Sequence, residues 1–593
     1  MNREKGLNYG IIGNCKSSAL INENSSIDWC CLPQFDSPSV FCKILDQNNG
    51  GSLKIECESN YKITQNYQEK TAILITTFKC SHSEFDVIDF MPRFKEDGEG
   101  FYAPPEIQRI LIPKIGEPKL KVLYDPKLDY SRGHTKKYLK KNFIASVLDN
   151  AVYETLFLYS NISKKAIINN EQISLNEIKF INISYNEKIE LPTIQKALLE
   201  YEKTKAYWLN WCNNTPSFKL YNSEIIRSAI TLKLLTFEKS GAVLAAATTS
   251  IPETIGEVRN WDYRFCWIRD ASMVIKIIAK LGHQRIVKNF IDFIVDLIPT
   301  KNEKLQIMYG IDGQKILTEK TLDHLSGYKN SAPVRVGNAA YLQKQNDIYG
   351  ILIDAIHFQI EKYKKDNYMH EQLWSIVKSV VWVVEKNWKK PDKGIWEFRN
   401  EDQHFTFSKL LCWVAIDRAI KISDLIQGGV KARKWINLRD EIKNDIMKNA
   451  WNPDKKAFTQ SYGSEDLDAS VLLMESYGFI GAKNQMYIST VKAIEKELLY
   501  NGLLFRYKNM DDFGEPKSSF SVCTFWFINS LLKIGQEDKA KKLFKKLLSY
   551  SNHLGLFSED IDFKTKELLG NFPQAYSHLA LIETALNFNN QSI

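Results

Sequence analysis

Residues 405–425, Phe-Thr-Phe-Ser-Lys-Leu-Leu-Cys-Trp-Val-Ala-Ile-Asp-Arg-Ala-Ile-Lys-Ile-Ser-Asp-Leu, carry apolar side chains nearly all round a helix. A helix of that kind has to be covered on two sides. It is not alone. Candidate helices follow one another from residue 221 onward, at 223–238, 271–281, 285–298, 347–363, 371–387, 430–450, 469–477, 488–499, 518–532, 537–548 and 573–587. Most show apolar residues three and four apart. Some are apolar all round and others are amphipathic. A double ring satisfies both kinds, with the first inside and the second outside. The connections between these helices are long and rich in Trp, Tyr, Arg and Asp, which marks them as functional segments rather than disordered ones.

Before residue 191 the pattern is different. Short β-branched or alternating runs recur at 72–78, 84–91, 151–159 and 178–183. Asn48-Asn49-Gly50-Gly51, residues 97–100 and Ala103-Pro104-Pro105 punctuate them. Many short strands with such turns predict an antiparallel sandwich over residues 1–190. The polar, proline-bent loop at 25–39, with Trp29, is placed to reach another surface. Residues 191–215 predict a linker helix, with Leu198, Leu199 and Trp208 as its apolar contacts. It stops at Asn213-Asn214-Thr215-Pro216. The helical part then covers 216–593.

Composition excludes several classes of function. The net charge of +9 is small for 593 residues, and no basic block is present to track a phosphate backbone. Nucleic acid is therefore not an expected partner. No apolar run of about 18 residues could cross a bilayer, and residues 1–9 do not resemble an export signal. A cytoplasmic protein without membrane association is expected. The ten cysteines contain no CxxC pair. They fit reduced core thiols better than a zinc site.

The densest chemistry lies in Arg259-Asn260-Trp261-Asp262-Tyr263-Arg264-Phe265-Cys266-Trp267-Ile268-Arg269-Asp270. Charges alternating with aromatic rings suit neither a core nor a plain surface. They suit a polar cleft that stacks hydroxyl-rich rings, as a sugar site does. The alternative is a structural Arg269–Asp270 ion pair among core tryptophans. Two loops then offer carboxylates. Glu397 lies between Trp396 and Phe398, an apolar setting that raises a carboxyl's pKa and suits a general acid. It could instead pair with Arg399. Glu559, in Ser558-Glu559-Asp560, lies in a polar setting where a carboxylate stays ionised and can activate water. It could instead be part of a solvated acidic turn. One protonated and one ionised carboxyl together are what glycoside hydrolysis needs.

The chain resembles glycoside hydrolase family 15, the glucoamylase family, in the bacterial and archaeal branch that includes trehalases. The resemblance rests on Ile11-Ile12-Gly13-Asn14, Ser26-Ile27-Asp28-Trp29, Phe35-Asp36-Ser37-Pro38-Ser39, residues 259–270, Pro333-Val334-Arg335-Val336-Gly337-Asn338-Ala339-Ala340, Gly394-Ile395-Trp396-Glu397 and Gly570-Asn571-Phe572-Pro573-Gln574-Ala575. It implies an N-terminal β-sandwich followed by an (α/α)₆ barrel, and an inverting mechanism with no metal or other cofactor. It also implies Glu397 as general acid and Glu559 as general base. Arg269 and Asp270 would hold the nonreducing glucose. Arg506 and Arg335 would be further sugar-binding arginines, and Trp261 and Trp396 stacking surfaces. Asp560 departs from the family pattern, where Glu or Gln commonly follows the base.

The expected activity is release of β-glucose from the nonreducing end of short α-glucans, with α,α-trehalase of the same family as the alternative. The partner is a small oligosaccharide or disaccharide. A phosphorolytic enzyme would lack the base carboxylate. An inactive sugar-binding protein would have lost one of the two acids.

Overall fold

A computed structural model describes residues 6–57, 60–96, 98, 100–149, 154–298, 305–362, 367–427 and 432–591. Parts of the turn expected at 97–100, the strand expected at 151–159 and the helix expected at 430–450 lie outside the described residues.

The N-terminal part is a sandwich of two antiparallel sheets. One has seven strands: Tyr9–Gly13, Ser18–Asn22, Ile27–Cys31, Ser52–Cys57, Lys119–Asp125 and Ile173–Ser174 in spatial order, with Ser39–Phe41 also paired to Ile27–Cys31. The other has eight, in the order Thr135–Leu139, Ile144–Leu148, Thr155–Ser160, Lys179–Tyr185, Glu106–Ile115, Glu84–Phe90, Leu74–Lys79 and Lys62–Tyr67. Strand side chains alternate between faces. In the eight-stranded sheet both faces are buried. Val87, Leu111 and Ile181 point into the main core, while Ile88, Ile110 and Phe180 form a second apolar layer. This explains why the sequence around Glu84–Phe90 alternates only imperfectly.

A short helix, α1 (Lys164–Ile168), lies in this domain, and α2 (Ile194–Asn213) covers the second apolar layer. Thr193 caps α2, its hydroxyl accepting from the Lys196 amide at 3.1 Å. Of the expected contacts, Leu198 packs on the sheet and Trp208 is fully buried, but Leu199 is 54% exposed. Leu199 follows Leu198 by one position and so falls on a different face of the helix.

The remaining helices are α3 (Asn222–Leu234), α4 (Ile268–Lys280), α5 (Gln284–Leu297), α6 (Asp347–Lys362), α7 (Asn367–Asn387), α8 (Thr406–Gln427), α9 (Ala432–Asn449), α10 (Gln485–Leu498), α11 (Ser521–Lys533), α12 (Glu537–Leu548) and α13 (Ala575–Gln591). They make a closed double ring. The inner ring runs α4, α6, α8, the 3₁₀ segment Ala469–Met474, α11 and α13, and α13 returns to α4. Outside it, α3 packs on α13, α5 on α4, α7 and α9 on α8, and α12 on α11. Burial follows position. In α11 every residue from Ser521 to Leu532 is buried, whereas in α12 only Ala540, Phe544 and Leu547 are.

Two segments differ from expectation. Residues 469–474 form a 3₁₀ turn rather than an α-helix, with the Asp468 side chain capping Ser470 at 2.7 Å. The candidate helix at 518–532 begins as the strand Ser518–Phe520, which pairs with Asp560–Asp562. That pairing brings residue 559 to the barrel. Among the described residues, no helix is long and apolar enough to cross a membrane.

The two domains are joined at the segment richest in charge. Arg264 pairs with Asp262 at 2.7 Å. Its other nitrogen donates to the Ser37 carbonyl at 3.0 Å, and the Trp29 indole donates to the Ala247 carbonyl at 2.9 Å. The proline-bent loop therefore buttresses Arg264 of the 259–270 segment and the Ala247 backbone.

Candidate active site

One pocket gathers seven of the eight residues singled out as substrate-binding or catalytic: Trp261, Arg269, Asp270, Trp396, Glu397, Arg506 and Glu559. They arrive from four separate connections between helices. The enclosed volume of the pocket is about 90 Å³. The eighth, Arg335, is not part of this lining. Its guanidinium sits 4.6 Å from the centre of the Trp261 ring and donates to the Val258 carbonyl at 2.8 Å. It thus supports Trp261 from behind.

Glu397 occupies a tight turn rather than a helix entrance. Its φ is +61°, and Gly394 of the same turn has φ +65°. A non-glycine residue in that region is strained, and such strain persists where surrounding structure enforces it. Here the Trp267 indole donates to Glu397 Oε1 at 2.8 Å, and Gln343 donates to its carbonyl at 3.2 Å. The cation facing it is Arg269, at 3.8 Å, not Arg399, which reaches Glu319 instead. Burial pushes the Glu397 carboxyl up, and Arg269 and the indole only partly oppose that.

Arg269 lies in the first turn of α4 and is buried. Its Nε donates to Asp270 Oδ1 at 2.8 Å, and its Nη1 reaches Gln345 at 3.1 Å and the Ile395 carbonyl at 3.2 Å. Asp347, the first residue of α6, stands 3.5 Å away. The Arg269–Asp270 pair is therefore ion-paired and lines the pocket at once. The two readings left open by the sequence are not exclusive.

Glu559 is not in a solvated turn. It is 1% exposed, and Tyr263 donates its hydroxyl to Oε1 at 2.6 Å. Gly570 lies against its other side, with φ +71°. A methyl group there would stand 2.7 Å from Glu559 Oε2, so only glycine leaves the carboxylate its place. Burial, reinforced by Glu253 and Asp560, pushes Glu559 well up. The same burial and Glu253 push Asp560 up to about 8. Arg506 opposes both. It pairs with Glu253 at 2.9 Å, and Arg259 pairs with Asp511 at 2.6 Å.

The two carboxylates are thus tied to adjoining aromatic residues. Tyr263 holds Glu559, Trp267 holds Glu397, and the two rings meet edge to face with centroids 5.3 Å apart. Tyr263 and Trp267 were visible in the segment 259–270 but had no role on sequence grounds. Glu253 and Gly570 were missed as well. Glu253 carries no local signal for this role, because Arg506 and Glu559, which it faces across the pocket, lie hundreds of residues away. Among the described residues, no group of three or more His, Cys, Asp or Glu side chains is placed to hold a metal ion.

Residues 219–586 match the family model of glycosyl hydrolases family 15, and residues 7–147 match the model of the trehalase-like N-terminal domain. The trehalase of Thermoplasma volcanium is 35% identical over 97% of this chain and 92% of its own. The trehalase of Mycolicibacterium smegmatis is 35% identical over 98% of this chain and 90% of its own. A bacterial glucoamylase complexed with acarbose has the same fold, with a TM-score of 0.72 over 100% of this chain and 94% of its own, at 14% identity. The chain belongs to glycosyl hydrolases family 15 and is a glycoside hydrolase.

Proposed function

We propose that this protein is an inverting α,α-trehalase. The observation that carries the choice of substrate is the likeness, through both domains, to relatives named trehalase, at 35–36% identity and over at least 92% of each chain for the two Thermoplasma proteins. The glucoamylase likeness is one of fold, so the alternative reading from the sequence is preferred to the leading one.

In this reading Arg269 and Asp270 hold the hydroxyls of one glucose by charge-assisted hydrogen bonds. Glu397, kept protonated by burial, gives its proton to the oxygen joining the two sugars. Glu559 takes a proton from a water that attacks the anomeric carbon from the opposite face. The two carboxylates line one pocket and are held by separate donors, Tyr263 and Trp267, which supports an acid and a base with distinct tasks. Tyr263 donates to Glu559 and so favours its ionised form. With Asp560 protonated, Glu253 still opposes ionisation of Glu559, and Tyr263 and Arg506 favour it.

The protonated Asp560 has a measurable consequence. Its folded pKa is raised from an unfolded value near 4 to about 8. The folded state therefore binds the proton more tightly, and stability falls as pH rises through that window. Asp560→Asn has no proton to lose. It should melt like the wild type at pH 4 and above it at pH 8, while keeping most of the turnover. Thermal melts across pH check this, and a variant less stable than wild type at pH 8 would exclude a protonated Asp560.

The substrate assignment is tested by following glucose release from trehalose, maltose, maltotriose and isomaltose under one set of conditions. Trehalose should be cleaved with a kcat/KM at least about a hundredfold above the others, the discrimination that paired polar groups give. Preference for maltotriose would return the enzyme to the α-glucan reading.

A further inference from the structure

A second cavity, of about 700 Å³, opens where the β-sandwich, α2 and the barrel meet. It is remote from the carboxylates just described and shares no lining residue with their pocket. Among the described residues its lining carries five cationic side chains, Arg93, Lys95, Lys203, Lys233 and Arg285, against one carboxylate, Glu238. The histidine in the lining, His283, is held neutral by burial, its pKa pushed down to about 4.

Two of these cations are deeply buried. The Arg93 side chain is 1% exposed and that of Lys233 is 4% exposed. Both rely on Glu238, at 2.9 and 2.6 Å, and Arg285 reaches the same carboxylate at 3.2 Å. Buried charges need partners. One carboxylate shared by three cations leaves positive charge uncompensated. Arg93 Nε is buried with no hydrogen-bond partner as well.

The first turn of α5 faces the same space, through Gln284, Arg285 and Ile286. The residue before it, His283, does not cap the helix. Its ring is engaged with the Thr215 hydroxyl at 2.8 Å and stacked on Trp211 with centroids 3.9 Å apart. The Gln284 amide is taken by the Gly282 carbonyl at 3.1 Å, so the turn offers the amides of Arg285 and Ile286, as in anion sites at helix N-termini. Guanidinium forks and helix amides together match phosphate oxygens. Phe101, which carries Arg93 and Arg285 at 4.6 Å each, fixes both forks.

We propose that this cavity binds a small phosphate-bearing anion, which bridges the β-sandwich, the linker helix and the barrel. Its position gives it a route to the active site. Helix α4 begins at Arg269 and Asp270 in the catalytic pocket and ends at Lys280, two residues before Gly282 in this one.

The test is calorimetric titration of the full-length protein with sodium pyrophosphate and with glucose 6-phosphate, at matched ionic strength. Thermal melts are run in parallel, since a ligand that binds only the folded state raises the melting temperature. Binding of one equivalent of at least one probe is expected. The variant Lys203→Ala/Arg285→Ala, altered only at exposed positions, should bind about tenfold more weakly or worse and hydrolyse sugar as the wild type does in the absence of the probe. Response to pyrophosphate alone would assign the site to inorganic phosphates, and tighter binding of glucose 6-phosphate would assign it to sugar phosphates. The proposal is overturned if neither probe binds, or if the double variant binds either as tightly as the wild type.

Discussion

Glu559→Gln is expected to lower turnover on trehalose by about a hundred- to ten-thousandfold, the range a positioned general base contributes. The protein should remain folded. Glutamine keeps an oxygen that can accept from Tyr263, whose hydroxyl stands 2.6 Å from Glu559 Oε1. It also removes a carboxyl whose charge is disfavoured by burial beside Glu253 and Asp560. The melting temperature at neutral pH should therefore equal or exceed that of the wild type. Activity would be lost without loss of structure. Glu397→Gln should lose turnover to a similar degree, for the opposite reason. An α-glucosyl fluoride separates the two, because fluoride leaves without a proton. It should restore rate to Glu397→Gln and not to Glu559→Gln. Either variant turning over trehalose at near wild-type rate would remove that residue from the mechanism.

Arg269→Ala should be the most damaging substitution for both stability and activity. The guanidinium is buried between Asp270, Asp347 and Glu397, at 2.8, 3.5 and 3.8 Å. Its removal leaves two buried acids, Asp270 and Asp347, and the half-buried Glu397 with no facing cation from this position. Breaking a buried pair by removing one partner costs about 3–5 kcal/mol. Denaturant unfolding should show a loss of that size. The loss should shrink at low pH, where the orphaned acids are protonated. Arg269→Lys keeps the charge and should recover part of the stability. It should not recover the activity, since an ammonium cannot reproduce the fork that reaches Asp270, Gln345 and the Ile395 carbonyl together. Wild-type KM and kcat in Arg269→Lys would show that the fork does not hold substrate.

What could be read from the sequence followed a simple physical division. Local signals were legible. The apolar surround of residues 405–425 predicted an inner helix, and α8 is one. The charged and aromatic run at 259–270 predicted a sugar cleft, and it lines the pocket. The even-handed pattern at Glu84–Phe90 was harder, because α2 covers the far side of that sheet and both faces are buried. Non-local facts were not legible. Closure of the ring depends on α13 returning to α4, a contact between segments some three hundred residues apart. The burial of Glu559 was not legible for the same reason. Its neighbours Glu253 and Tyr263 come from the start of the barrel, and pairing of Asp560–Asp562 with Ser518–Phe520 removes it from water. Arg335 sits in one of the motifs that carry the resemblance, yet folding sets it against the Trp261 ring and outside the pocket lining.

The most direct test of two carboxylates acting from opposite faces is the anomeric form of the first glucose released. Proton NMR of trehalose hydrolysis, recorded before mutarotation, should show α- and β-glucose appearing in equal amounts. Water inverts one anomeric carbon, and the departing sugar keeps its α configuration. Appearance of α-glucose alone would mean retention, and would contradict a base-activated water at Glu559.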